Sequence, residues 1–241
     1  MRHLFSRLSH LSRFSHLSVL LIAALLGVSI ACVAPAKASD DSLAARLHAS
    51  APELDPQVLQ LALEAWQCAL ADGMPAVERL AVIDYSLPST EPRLWVFDLD
   101  EARLLFHEHV AHGSNSGDNL STSFSNKPDS HQSSLGLFRT ADTYQGRNGY
   151  SLHMDGLEPG FNDKARERAI VIHGASYVDN DMIHKSGRLG RSWGCPAVRL
   201  GIARPMIDAL KGGQLLFAYY PDLKWLNASH YLHCPTLVAS R

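Results

Sequence analysis

The chain has 241 residues, with 22 Lys and Arg against 24 Asp and Glu, a formal net charge of −2. At 46% hydrophobic and 19% charged residues it has the composition of a globular chain, and 16 Gly with 12 Pro is ordinary usage, which excludes disordered, collagen-like and low-complexity classes. A sequence pI near 6.7 gives no electrostatic pull on nucleic acid, so no nucleic-acid partner is expected.

Arg2, Arg7 and Arg13 precede an apolar run from Leu17 to Ala34, and Ala36-Lys37-Ala38 follows it. A positive start, an apolar middle and a small-x-small end read as a secretory signal peptide over residues 1–38, cleaved after Ala38. An uncleaved anchor is the alternative, but the run is near the lower limit for a bilayer span and contains Gly27 and Ser29. A lipid anchor on Cys32 is a third reading, weakened by Ser29 where a lipoprotein signal normally has Leu. Removal of residues 1–38 leaves 18 basic and 24 acidic side chains, net −6. No second apolar span follows, so the expectation is an exported protein of the periplasm or cell envelope with no membrane span after cleavage. Three cysteines remain: Cys68, Cys195 and Cys234. In an oxidising compartment an odd count leaves at least one thiol unpaired. Either Cys68 pairs with Cys234 and Cys195 stays free, or all three are reduced.

Residues 39–78 are expected to be a helical N-terminal segment. Asp55 serves as N-cap and Pro56 as the first helical residue, with Val58, Leu61, Ala62, Ala65, Trp66 and Ala69 at helical spacing and Gly73 as the stop. Cys68 beside that apolar face reads as a small buried hydrophobe. From residue 79 the period changes to that of strands: Leu80–Tyr85, Arg93–Asp98 and Arg103–Val110, the last two forming a hairpin through Leu99–Ala102. Residues 113–133 are rich in Ser, Asn, Asp and Gly, and the length and polarity of Ser114–Gln132 suggest a flexible lid. Strand candidates resume at Leu135–Thr140, Tyr150–Met154 and Ala169–Ile172, the last running into His173-Gly174. A Gly- and Arg-rich loop leads to Ser192-Trp193-Gly194-Cys195. Pro205 is expected to open a short helix, Met206–Lys211, closed by Gly212, and Gln214–Tyr220 to form a last strand before a tail over 222–241. Many short strands with few helices give a β-rich mixed α+β fold, its main domain over 79–221.

A histidine ending a buried strand is held rigidly at a sheet edge. Cys195 lies between Gly194 and Pro196, a constrained loop because Pro disfavours helical geometry at the residue before it. Gly194 admits close approach of a substrate to the backbone, and N–H groups at Gly194 and Cys195 could face a developing oxyanion. A thiol of ordinary pKa near 8.5 is mostly protonated at neutral pH, and a paired imidazole makes its thiolate available for acyl transfer. On spacing alone a buried inert thiol with an unrelated histidine is the favoured reading.

The residues around this pair decide between those readings. His173-Gly174 after a strand and Ser192-Trp193-Gly194-Cys195 further on resemble the L,D-transpeptidase (YkuD-type) catalytic domain, the cysteine enzymes that remodel bacterial peptidoglycan. The resemblance extends to Leu94–Val110, similar to the family's opening hairpin, and to Ser134-Leu135-Gly136-Leu137-Phe138, and it covers roughly residues 80–220. It implies a β-sandwich or barrel with short helices. It also implies that Cys195 is the nucleophile and His173 its base, with the Gly174 carbonyl or Ser176 orienting the ring and Gly194 and Cys195 giving oxyanion donors. The substrate class is then the peptidoglycan stem peptide: Cys195 attacks the carbonyl of its third residue and expels the terminal D-alanine. An amine resolves the thioester, or water does so in an L,D-carboxypeptidase; an inactive wall-binding domain of the same fold is the further alternative.

Most members carry Ser-His-Gly-Cys, whereas this chain resembles the murein L,D-transpeptidase branch with Ser-Trp-Gly-Cys-Pro. Trp193 therefore reads as a packing or stacking wall for substrate rather than a proton carrier. Arg188, Arg191 and Arg199 surround the nucleophile in sequence and could attract stem carboxylates or depress the thiol pKa; solvated loop charges are the plain alternative. Ser192 is expected to steady the loop. No cofactor is implied. A metal site is conceivable at His107, His109 and His112 but has no nearby Cys or firm acidic set, and a zinc rival would use His173, His184 and Cys195, against which the resemblance counts; no metal is expected.

Overall fold

A computed structural model describes residues 42–234, so the expected signal peptide lies outside the described residues, as does the end of the tail. Helix α1 (Leu43–Ser50) begins where the Ser42 hydroxyl accepts from Ala45 N–H at 3.2 Å. Helix α2 (Pro56–Ala71) starts as its sequence predicts, with an Asp55 carboxylate oxygen accepting from Gln57 N–H at 2.7 Å. Its buried face is formed by Val58, Leu59, Ala62, Leu63, Ala65 and Ala69. Leu61 and Trp66, expected on that face, are half-buried at its margin.

Eight strands make one sheet: β1 (Arg79–Asp84), β2 (Leu94–Asp98), β3 (Arg103–Glu108), β4 (Gly136–Gly146), β5 (Gly149–Gly156), β6 (Val171–Gly174), β7 (Ala197–Val198) and β8 (Leu215–Tyr219). Their order is β3-β2-β1-β8-β4-β5-β6-β7, antiparallel except for β1 beside β8 and β6 beside β7. Beyond β3, Ala111 bridges to Ala197 of β7, so the two edges meet and the sheet nearly closes into a barrel. Leu80, Ala81, Val82 and Ile83 of β1 are wholly buried, as suits a central strand covered on both faces. One face looks into the barrel and α2 packs against the strand from outside.

Strands β4 and β5 run on to Gly146 and Gly156, past the expected Thr140 and Met154, and three other departures have a local cause. Strand β6 starts at Val171 rather than Ala169, because Ala169 has a φ of 52°, a left-handed conformation that costs a residue with a β-carbon about 1–2 kcal/mol. Helix α4 (Leu200–Leu210) starts five residues before Pro205, which sits inside it. Burial of Ala203, Met206, Ile207 and Leu210, one stripe at helical spacing, outweighs the N–H that proline lacks. The Gly- and Arg-rich stretch contains helix α3 (Asn180–Ser186), capped by Asp179 and ended by Gly187.

The tail folds back on the domain. Helix α5 (Leu223–Ala228) buries Trp225 completely, and its indole N–H donates to a Glu158 carboxylate oxygen at 2.9 Å, while the other oxygen accepts from Leu137 N–H at 2.7 Å. Burial pushes the Glu158 carboxyl up, and these donors offset that only in part. A 3₁₀ turn at His230–Leu232 follows, and Cys234 forms a disulfide with Cys68 of α2, which leaves Cys195 as the free cysteine among the described residues.

That bridge closes a loop spanning 166 positions in sequence. The Cys234→Ser variant should lose about 2–4 kcal/mol of unfolding free energy, read by denaturant titration without reductant; an unmoved midpoint would contradict this role.

Candidate active site

Alternation along β6 sorts its side chains. Ile172 enters the core, as does Ile170 just before the strand, whereas Val171 and His173, with Ala169 ahead of them, line a cavity of about 360 Å³. Parallel pairing of His173 with Ala197 brings the loop before β7 alongside the same strand. Cys195, two residues before Ala197, lines the same cavity, and its Sγ lies 3.5 Å from Val171 N–H and 3.6 Å from the Ala169 carbonyl. Two residues that stand 22 positions apart in sequence therefore line one cavity.

His173 Nδ1 lies 3.0 Å from the Gly174 carbonyl. A carbonyl only accepts, so Nδ1 carries the proton and Nε2 keeps its lone pair. Burial pushes the imidazole below its ordinary value, so the ring is neutral at pH 7. Of the two proposed orienting groups the Gly174 carbonyl makes this contact; Ser176 is exposed and does not line the cavity. Gly174 also admits α4: a β-carbon there would stand 2.9 Å from the Ala203 methyl.

Burial pushes the Cys195 thiol up, and the Val171 N–H, the Arg168 charge and its own backbone N–H pull it down. With the thiol raised and the imidazole lowered, the resting pair is neutral thiol and neutral imidazole.

The nucleophile loop is fixed by its own residues. Ser192 Oγ donates to the Cys195 carbonyl at 2.7 Å and accepts from Gly194 N–H at 3.0 Å. Gly194 N–H, expected as an oxyanion donor, is thus engaged within the loop, whereas the Cys195 N–H has no such partner among the described residues. Glycine is required at 194 for another reason: φ is +118°, and a β-carbon would meet the Gln132 carbonyl at 2.7 Å and Ile170 Cδ1 at 2.9 Å. Ser133 Oγ accepts from Gly113 N–H at 3.0 Å and donates to the Gly194 carbonyl at 3.2 Å, clamping the loop from the other side.

The stretch expected to be a flexible lid is tied down as a wall. Arg168 donates to the carbonyls of Ser125 and Gln132 and to the hydroxyls of Ser130 and Ser134. His131 stacks on Trp193 with ring centroids 4.8 Å apart and planes 6° off parallel. Trp193 is 68% exposed at the cavity rim. The opposite rim is the far end of the β4–β5 hairpin, which extends past β8 and contributes Tyr144, Arg147 and Asn148.

Among the expected arginines only Arg191 lines the cavity, donating to the carbonyls of Ser114 and Gly117. Arg199 turns away to a two-point ion pair with Glu108, both contacts 2.7 Å, and Arg188 pairs with Asp118 at 2.6 Å. The arginine acting on the thiol is Arg168, which sequence reasoning missed; its position just before the apolar strand was the only local signal. Histidines 107, 109 and 112 are not gathered as a metal site. His107 stacks on Trp95 and His109 Nε2 contacts the Thr90 carbonyl at 3.0 Å. His112 Nδ1 accepts from the fully buried Arg93 at 2.7 Å, and burial together with that charge lowers its pKa to about 4. His184 stands on α3, away from the cavity lining.

Residues 50–219 match a family model described as the L,D-transpeptidase catalytic domain. Solved structures similar to the chain include an L,D-transpeptidase from Mycobacterium smegmatis, 12% identical over 60% of each chain with a TM-score of 0.39. Another is an L,D-transpeptidase from Stackebrandtia nassauensis, 10% identical over 73% of this chain and 75% of that one, with a TM-score of 0.37. The chain spans about three fifths of the length of the first of these. Comparison with curated protein sequences finds no match.

In the chain without residues 1–38, alkylation by iodoacetamide reads Cys195 alone. Arg168→Met should move the pH dependence of alkylation to higher pH, since loss of the positive charge disfavours thiolate, and Arg168→Lys should restore most of it. An unmoved or lowered profile in Arg168→Met would contradict the electrostatic assignment.

Proposed function

Because the chain belongs to the L,D-transpeptidase catalytic domain family, we propose that it is an exported cysteine acyltransferase acting on peptidoglycan stem peptides. The observation that carries this reading is the shared cavity of His173 and Cys195, with Nδ1–H held by the Gly174 carbonyl and Nε2 left unprotonated. Cys195 attacks the carbonyl of the third residue of a tetrapeptide stem while His173 Nε2 takes the thiol proton. The Cys195 N–H faces the oxygen that becomes negative. Collapse of the tetrahedral intermediate breaks the bond to the terminal D-alanine, whose amine takes the proton from His173 and leaves. An acceptor amine then attacks the thioester, His173 removes its proton, and the Cys195 thiolate departs and is reprotonated. Water in place of the amine gives the L,D-carboxypeptidase outcome.

The resting neutral pair suits this sequence, because the proton moves only as the carbon–sulfur bond forms. Arg168 and Arg191 give the cavity a positive wall for stem carboxylates, and the Trp193–His131 stack offers a flat apolar rim. Export follows from residues 1–38 and from the substrate, which lies outside the cytoplasmic membrane. Among the described residues no helix is long and apolar enough to cross a membrane.

Incubation with muropeptides and mass spectrometry tests the reading. Wild type should carry an acyl adduct on Cys195 and release D-alanine, and Cys195→Ala and His173→Ala should each lower turnover by at least about 10²-fold while keeping the wild-type circular dichroism. Wild-type turnover in Cys195→Ala would overturn the cysteine mechanism, and absence of adduct and product in wild type would favour a wall-binding domain.

A further inference from the structure

Five lysines lie in the described residues, and three of them, Lys127, Lys164 and Lys224, line one cavity of about 310 Å³ distinct from that of Cys195. They come from three separate segments: the long loop before β4, the stretch between β5 and β6, and α5. Beyond residue 38 the chain is net −6, so this gathering runs against the charge of the whole. Among the described residues none of the three makes an ion pair. The carboxylate in the lining, Asp222, is engaged as the cap of α5, accepting from Trp225 N–H at 2.8 Å. Three ammonium groups against one carboxylate leave a net positive charge around the concavity, which focuses a positive potential into it, a state that an anion relieves.

The cavity is also built rather than incidental. Asn126 Oδ1 accepts from Lys164 N–H at 3.1 Å and Asn126 Nδ2 donates to Asp163 at 2.6 Å, fixing two of the lysine-bearing segments to each other. Phe124 and Phe161 add half-buried aromatic wall. Ser125 belongs to this lining, and its carbonyl accepts from Arg168, which lines the catalytic cavity; the two spaces are neighbours across one loop.

We propose that this cavity is a second binding site, taking a short peptide or peptide end that bears two or more carboxylates on an apolar stem. Ammonium groups act as compact point charges with rotatable donors, which suits several carboxylates at differing angles, and the phenylalanines cover the apolar portion. The volume is at the small end of ligand sites, about 300–1,000 Å³, and so fits a peptide end rather than a polymer. The inference stands on this cavity's charge and shape and is independent of the chemistry assigned to Cys195.

Calorimetric titration of the chain carrying Cys195→Ala, with the acidic peptide Ala-Glu-Glu and with inorganic phosphate as separate probes, tests it. The peptide should bind more weakly as salt rises, and at least about tenfold more tightly than phosphate. Combined Lys127→Gln, Lys164→Gln and Lys224→Gln should weaken it by about tenfold or more, each single change by about threefold, and Trp193→Ala in the catalytic cavity should leave it unchanged. The single variants serve if the triple variant loses its circular dichroism. Equal affinity in the lysine variants, loss of binding in Trp193→Ala, or tighter binding of phosphate than of peptide would each overturn the proposal.

Discussion

The short parallel pairing of β6 with β7 is the constraint from which the site follows. Register between His173 and Ala197 carries the nucleophile loop to the edge of a buried strand, so the Cys195 sulfur meets the Val171 N–H and shares a cavity with His173. Closure of the barrel holds that edge strand in place. Ala111 pairs with Ala197 on its outer side, and Ser192 N–H donates to the His112 carbonyl, whose own ring rests on buried Arg93. A two-residue strand would otherwise be a weak support for a reactive residue.

Electrostatics then sets the resting state. Burial disfavours charge on both partners, and the donors around the sulfur only partly offset it. A preformed thiolate–imidazolium pair would need a wetter or more strongly charged setting. The proposed enzyme thus keeps its proton on sulfur until a carbonyl is presented, and a protonated thiol is less open to oxidation than a thiolate.

Local chemistry was legible in the sequence, and long-range pairing was not. Strands β1, β2 and β8 announce themselves as apolar runs bounded by turns, α2 through Asp55-Pro56, and the His-Gly and Ser-Trp-Gly-Cys segments carry their resemblance in a few residues. Pro205 misled because stripe burial of α4 overrode the rule for helix starts, and Ala169 because a left-handed residue has no signature when it is not glycine. Arg168 was invisible since its importance comes from four hydrogen bonds to a loop about forty positions earlier. Those same bonds make a wall of the segment whose polarity suggested a lid. Arg199, four positions after the nucleophile, points to Glu108 instead, because nearness along the chain does not imply contact in space.

The neutral thiol–imidazole pair is the claim on which the mechanism turns. Nitrogen-15 NMR of His173 in the folded protein at pH 7 measures it directly. The account predicts a neutral ring protonated at Nδ1 with unprotonated Nε2, becoming imidazolium only below its ordinary range. An imidazolium signal at pH 7 that disappears in Cys195→Ala would reveal a preformed ion pair and contradict it.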